Sequence, residues 1–75
     1  MLEKVLIYDI FNKEYFGGSN DEGKPYFTVF QTEVRYFKNI LEAQERMLNE
    51  NIDYPQYLNN RIFTFITVYY LEYNY

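Results

Sequence analysis

The sequence contains no cysteine, no histidine and no tryptophan among its 75 residues, and only two prolines and three glycines. Without imidazole or thiol it cannot build a Ser-His-Asp triad, an imidazole base or a thiolate nucleophile. Structural zinc, which takes Cys or His ligands, goes with them, and no disulfide can brace the chain. No cofactor and no metal is expected. Positive charge is scarce as well: 7 Lys and Arg against 11 Asp and Glu leave a net charge of −4. The bases (Lys4, Lys13, Lys24, Arg35, Lys38, Arg46, Arg61) stand singly. Direct nucleic-acid contact is therefore not expected, since its affinity rests on Lys and Arg neutralising phosphates. The carboxylates are also too sparse for a mimic of DNA.

Long apolar runs are missing too. The longest, Ile62 to Leu71, includes Thr64 and Thr67 and covers ten residues, against the roughly twenty that a bilayer demands. The opening run Val5-Leu6-Ile7 is cut by Asp9, too early for a signal peptide. A cytoplasmic protein without a membrane partner is expected.

What the chain has is aromatics, 10 Tyr and 7 Phe. Its length allows a single domain, residues 1–75. So small a chain buries only about 60% of its unfolded surface. Aromatic packing or self-association has to make up the difference, and about two thirds of the aromatics are expected in the packing.

Residues 4–11 are rich in β-branched and aromatic types and read as a strand. Asn12-Lys13 reads as a tight turn and Glu14-Tyr15-Phe16 as a short return strand. Gly17 to Pro25 is dense in turn formers and reads as a loop, with a further strand from Tyr26 to Gln31. Thr32 to Lys38 fits an extended segment and a single helical turn equally well. Asn39 can cap a helix, with Glu42 at the capping-box position. At about 100° per residue, Ile40, Leu41, Ala43, Met47 and Leu48 share one side, while Glu42, Glu45, Arg46 and Asn49 share the other. Glu42 and Arg46 form an i,i+4 pair, and Gln44 breaks the apolar arc. The helix ends near Asn51, and residues 52–60 read as a second loop. Residues 61–73 read as one long strand with two apolar faces. Either that strand is central and covered twice, or it meets another chain; one helix cannot cover both faces, so a partner is expected. The expected fold is α+β, a small antiparallel sheet of three to four strands with one amphipathic helix packed on it.

Two local patterns invite a chemical reading. Gly18-Ser-Asn-Asp-Glu-Gly23-Lys24 matches the first seven positions of a phosphate-binding loop. Its eighth position is Pro25 rather than Ser or Thr, Asp21 and Glu22 stand where phosphate oxygens would approach, and a strand follows instead of a helix. A hairpin loop is the better reading. Asn20-Asp21-Glu22 lacks the alternating spacing of a calcium loop. Ser19, the only serine, has no base beside it. No catalytic constellation is expected. Tyrosine is a rigid, amphipathic contact residue. The candidate binding residues are Tyr54, Tyr57, Tyr69, Leu71, Tyr73 and Tyr75, with Gln44 a lesser candidate.

The Asn12-Lys13 turn, Tyr15-Phe16-Gly17-Gly18, Phe27-Thr28 and Phe37-Lys-Asn-Ile40-Leu-Glu42-Ala43 together resemble the short early accessory proteins of tailed bacteriophages. The resemblance covers about residues 4–48 and leaves the Tyr-rich last strand outside it. It implies a hairpin, a further strand, a helix and a last strand. It also implies a stoichiometric inhibitor of a host or antiviral-defence protein, anti-CRISPR proteins included, working in the host-cell cytoplasm. The expected function is a non-enzymatic interaction protein with a protein partner, self-associating as a homo-oligomer through its C-terminal strand. An aromatic pocket that sequesters a small nucleotide-like ligand is the alternative.

Overall fold

One strand, buried on both faces from Val5 through Leu6 to Ile7, organises the whole molecule. In the computed structural model, which describes residues 2–71, strand β1 (Leu2–Asp9) turns Val5, Ile7 and Asp9 toward the helix layer. It lies inside a four-stranded antiparallel sheet with β2 (Glu14–Ser19), β3 (Pro25–Thr28) and β4 (Phe63–Tyr70), in the order β3-β2-β1-β4. Helix α1 (Ile40–Asp53) packs on it, followed by the short α2 (Pro55–Leu58). The fold is the expected small α+β domain. Among the described residues no helix is long and apolar enough to cross a membrane.

The two sides of β1 are paired differently. β4 runs along its full length without interruption, from Leu2↔Tyr70 to Asp9↔Phe63. β2 pairs with it only at Tyr8↔Tyr15 and Asp9↔Glu14. Farther on, Phe37 takes the place of β2 by exchanging both backbone hydrogen bonds with Val5, at 2.8 and 2.7 Å. The segment that fitted two conformations uses both, a 3-10 turn at Gln31–Glu33 and an extended bridge at Phe37. β2 itself extends through Gly17-Gly18-Ser19, which the turn-former density had assigned to a loop. A bulge between Phe16 and Gly18 accommodates it, with Gly18 at φ 98°, a conformation strained for any residue with a Cβ.

Val5, Ile7, Phe16, Phe37, Ala43 and Met47 form the buried core, with Phe27, Leu58, Phe63 and Phe65 packed against it. Four phenylalanine rings run through this core in sequence. Phe37 stacks on Phe16 at 6.2 Å, Phe16 meets Phe27 at 5.6 Å, and Phe27 stacks on Phe63 at 5.8 Å. Among the described residues fewer aromatics are packed than composition suggested, because Phe11, Tyr26, Phe30, Tyr36, Tyr57, Tyr69 and Tyr70 are all exposed.

The helix starts as its sequence requires. Asn39 Oδ1 accepts from the Glu42 N–H at 2.9 Å, and Glu42 Oε2 accepts from the Lys38 N–H at 3.2 Å. Its buried face differs from the expected arc. Ala43, Met47 and Glu50 face the sheet, while Ile40, Leu41 and Leu48 are exposed. The small Ala43 lets the helix approach closely, and that rotation carries the larger Leu residues to the flank. Arg46 pairs with Glu50 at 2.8 Å rather than with Glu42, donates to Ser19 Oγ at 2.9 Å, and lies over the Phe16 ring. Pro55 opens α2 inside what read as a loop.

Candidate functional site

The site begins at a buried carboxylate that fixes where β4 starts. Asp9 is fully buried and accepts five hydrogen bonds. Its Oδ1 accepts from the N–H groups of Phe11, Asn12 and Ile62 at 2.9, 3.1 and 3.2 Å. Its Oδ2 accepts from Asn12 Nδ2 at 2.7 Å and Arg61 Nη1 at 2.9 Å. Burial alone would raise the Asp9 pKa; the hydrogen bonds from Asn12, Ile62 and Arg61 outweigh it and lower the value from 3.8 to about 2. Arg61 is equally committed. It donates to Glu14 Oε1 at 2.9 Å and to the Tyr57 carbonyl at 3.1 Å, and its guanidinium lies 3.6 Å from the Phe27 ring centroid. Sequence reasoning had seen Asp9 only as a break in an apolar run. The Asp9-x-x-Asn12 spacing, suited to a turn closed by a side chain, was the available signal.

From that anchor β4 runs out along the edge of the sheet. Of the two alternatives left for the last strand, central and covered twice or open to another chain, the first is excluded: β1 lies inside the sheet and β4 is an edge. The backbone shows which groups its free side presents. The Ile10 N–H donates to the Ile62 carbonyl, whereas Val5 turns both of its backbone groups to Phe37. Even-numbered residues of β1 thus face β4, and by the shared register so do the even residues of β4 face β1. Phe63, Phe65, Thr67 and Tyr69 are left with N–H and C=O directed away from the sheet. Between Ile62 and Leu71 there is no Lys, Pro, Gly or charged residue, and the β1–β4 register has no bulge. None of the usual devices that blunt an edge is present on this strand.

Above the same strand lies an open groove of about 510 Å³, lined by Gln44, Met47, Leu48 and Asn51 of α1, Leu58 of α2, and Arg61, Phe63 and Phe65. Leu48, one of the lining residues, is largely exposed, as is Leu41 more than one helical turn before it. The groove results from the helix rotation described above, which seats α1 by Ala43 and leaves the Phe63 and Phe65 rings half covered.

The candidate tyrosines fall into two groups. Tyr54, which caps α2, and Tyr57 within it meet edge to face at 6.0 Å, near the start of β4. Tyr69 near its far end and Leu71 just past it are exposed, Tyr69 about 20 Å along from Phe63 at the rise of an extended strand. Tyr73 and Tyr75 lie outside the described residues. Gln44, which broke the apolar arc, lines the groove. The Gly18–Lys24 segment closes the β2–β3 hairpin without opening a helix, and Asn20 Oδ1 ties it by accepting from the N–H groups of Glu22 and Lys24. Among the described residues no three carboxylates gather closely enough to hold a metal ion. Compared with known proteins, the chain matches no family model, and no curated protein or solved structure is similar to it.

Proposed function

We propose that this chain is a non-enzymatic interaction protein that acts by occupying the surface of a protein partner, and that it self-associates through its C-terminal strand. The observation that carries the reading is the open β4 edge, whose outward backbone groups have no partner among the described residues, with an apolar groove beside it. The proposed partner class is a host or antiviral-defence protein of the infected cell, met in the cytoplasm, as the resemblance to phage accessory proteins implies. Inhibition by occupancy is stoichiometric. Titrating the chain into its captured partner should abolish the partner's activity at an equimolar ratio. Inhibition completed by a small fraction of one equivalent would indicate turnover and overturn the reading.

A second reading draws on the groove, whose volume lies in the range of small-molecule sites. Its apolar floor of Met47, Phe63 and Phe65 suits a flat aromatic ligand. Arg61, the basic residue among those lining it, is already held by Asp9 and Glu14, so the phosphates of a nucleotide find no free cation there. A thermal-shift series separates the two readings. A ligand at a hundred times its dissociation constant adds about 2.7 kcal/mol of stability, whereas the interaction reading predicts no response to nucleotides.

A further inference from the structure

Resting on the self-association proposed above, we infer that the groove over β4 is filled by Tyr69 of a second copy, delivered by antiparallel pairing of two β4 edges about a two-fold axis at Ile66. Phe63, Phe65, Thr67 and Tyr69 are the residues whose backbone groups point off the sheet, and Ile66 is the midpoint of that set. With the axis at Ile66, Phe63 stands opposite Tyr69 of the second copy and Phe65 opposite its Thr67. Every outward N–H and C=O of these four residues then has a partner. Shifting the axis to Thr67 would leave Phe63 without one inside the strand. An axis normal to the sheet also keeps both helices on one face of a continuous eight-stranded sheet, so the two grooves open toward each other.

Two otherwise unexplained features then account for one another. Tyr69 is 63% exposed on the helix-side face of β4, with no apolar neighbour of its own chain across the strand, since it pairs with Glu3. The groove is floored by the Phe63 and Phe65 rings and is not filled by the chain's own side chains. In this register Tyr69 of the second copy lies directly across from Phe63, at the mouth of that groove. Charge permits the contact: a chain of net charge −4 repels its copies over most of its surface, and the strip from Ile62 to Leu71 carries no charge at all. On the opposite face the same register sets Ile66 against its own mate.

The absence of native cysteine makes the register directly testable. Ile66 turns its backbone groups to β1, so across the new interface it forms a non-hydrogen-bonded pair with Cα atoms about 4.5 Å apart, within the span of a disulfide. Val68 lies about 13 Å from its own mate in this register. Both side chains lie outside the buried core, so a cysteine at either position leaves that core intact. Light scattering of the parent should give a dimer. Under mild oxidation Ile66→Cys should then crosslink roughly a hundredfold faster than Val68→Cys, as its far higher effective concentration requires. Tyr69→Ser should weaken the dimer about tenfold or more without changing the fold. A dimeric parent in which Val68→Cys crosslinks as fast as Ile66→Cys, or in which Tyr69→Ser is silent, overturns this geometry but leaves self-association standing. A parent monomeric at every concentration overturns both.

Discussion

The two edges of the sheet are built in opposite ways. β3 has four residues and begins at Pro25, which has no N–H to offer. Its neighbour β2 is interrupted by a bulge, and two side chains of β3 are drawn aside: Tyr26 Oη and Thr28 Oγ1 both donate to Glu33 Oε1, at 2.7 and 2.6 Å. Those bonds hold the Glu33 carboxyl below its ordinary pKa, Thr28 contributing most, and Glu33 in turn raises that of Tyr26. β4 has eight residues, an unbroken register and no charge, proline or glycine. A sheet with one blunted and one open edge extends in a single direction and stops. Under the proposed self-association, that geometry would limit growth to a closed pair rather than a fibre.

The largest effect is expected where β4 is tied down. Asp9→Ala strips five hydrogen bonds and leaves Arg61 with Glu14 and the Tyr57 carbonyl as its hydrogen-bond partners. A urea titration should show a loss of about 3–5 kcal/mol, enough to unfold a domain this small. A stability change below the level of an ordinary surface substitution would mean that β4 is placed by its packing alone.

Next comes a pair of prolines on adjacent residues. Ile66→Pro removes an N–H that bonds to β1 and should cost about 3 kcal/mol or more, seen as loss of the far-ultraviolet circular dichroism signal. Thr67→Pro removes an N–H on the free edge. It should leave the chain folded and, by light scattering, monomeric. If both behave alike, the assignment of inward and outward residues along β4 is wrong.

Acid should loosen the same anchor. The folded-state pKa of Asp9, about 2, lies below its ordinary value of 3.8. Its contribution is therefore complete above about pH 4 and is lost as the pH falls from there through 2. The loss amounts to about 2 kcal/mol, measured as a drop in melting temperature that Asp9→Asn does not show.

The element types were legible because each has a local cause: β-branched and aromatic residues over 4–11, turn formers at Asn12-Lys13, and the Asn39–Glu42 cap. The arrangement was not. Asp9 and Arg61 are separated by 52 positions, and nothing in either neighbourhood announces the other. The apolar arc of α1 counted Leu41 and Leu48 as core because hydrophobicity weighs size, whereas the helix is seated by the smallest member of that arc, Ala43. β4 showed two apolar faces, a pattern shared by a central strand and a sticky edge. Its place beside β1 alone, and the groove above it, follow from tertiary packing. Of the candidate contact residues, Tyr69 and Leu71 are exposed where the open edge ends, and Tyr54 and Tyr57 are apart from them.

The smallest effect belongs to the blunted edge. Glu33→Ala frees Tyr26 and Thr28 and should cost about 1 kcal/mol, with no change in oligomeric state. Appearance of higher oligomers in this variant would show that Glu33 is what keeps β3 closed to other chains.

The contrast between the edges is tested most directly by amide hydrogen exchange as a function of concentration. The N–H groups of Phe63, Phe65, Thr67 and Tyr69 should be protected at high concentration and exchange freely on dilution, while those of Thr64, Ile66 and Val68, bonded to β1, stay protected throughout. Free exchange of the four odd-numbered amides at every concentration would contradict the account.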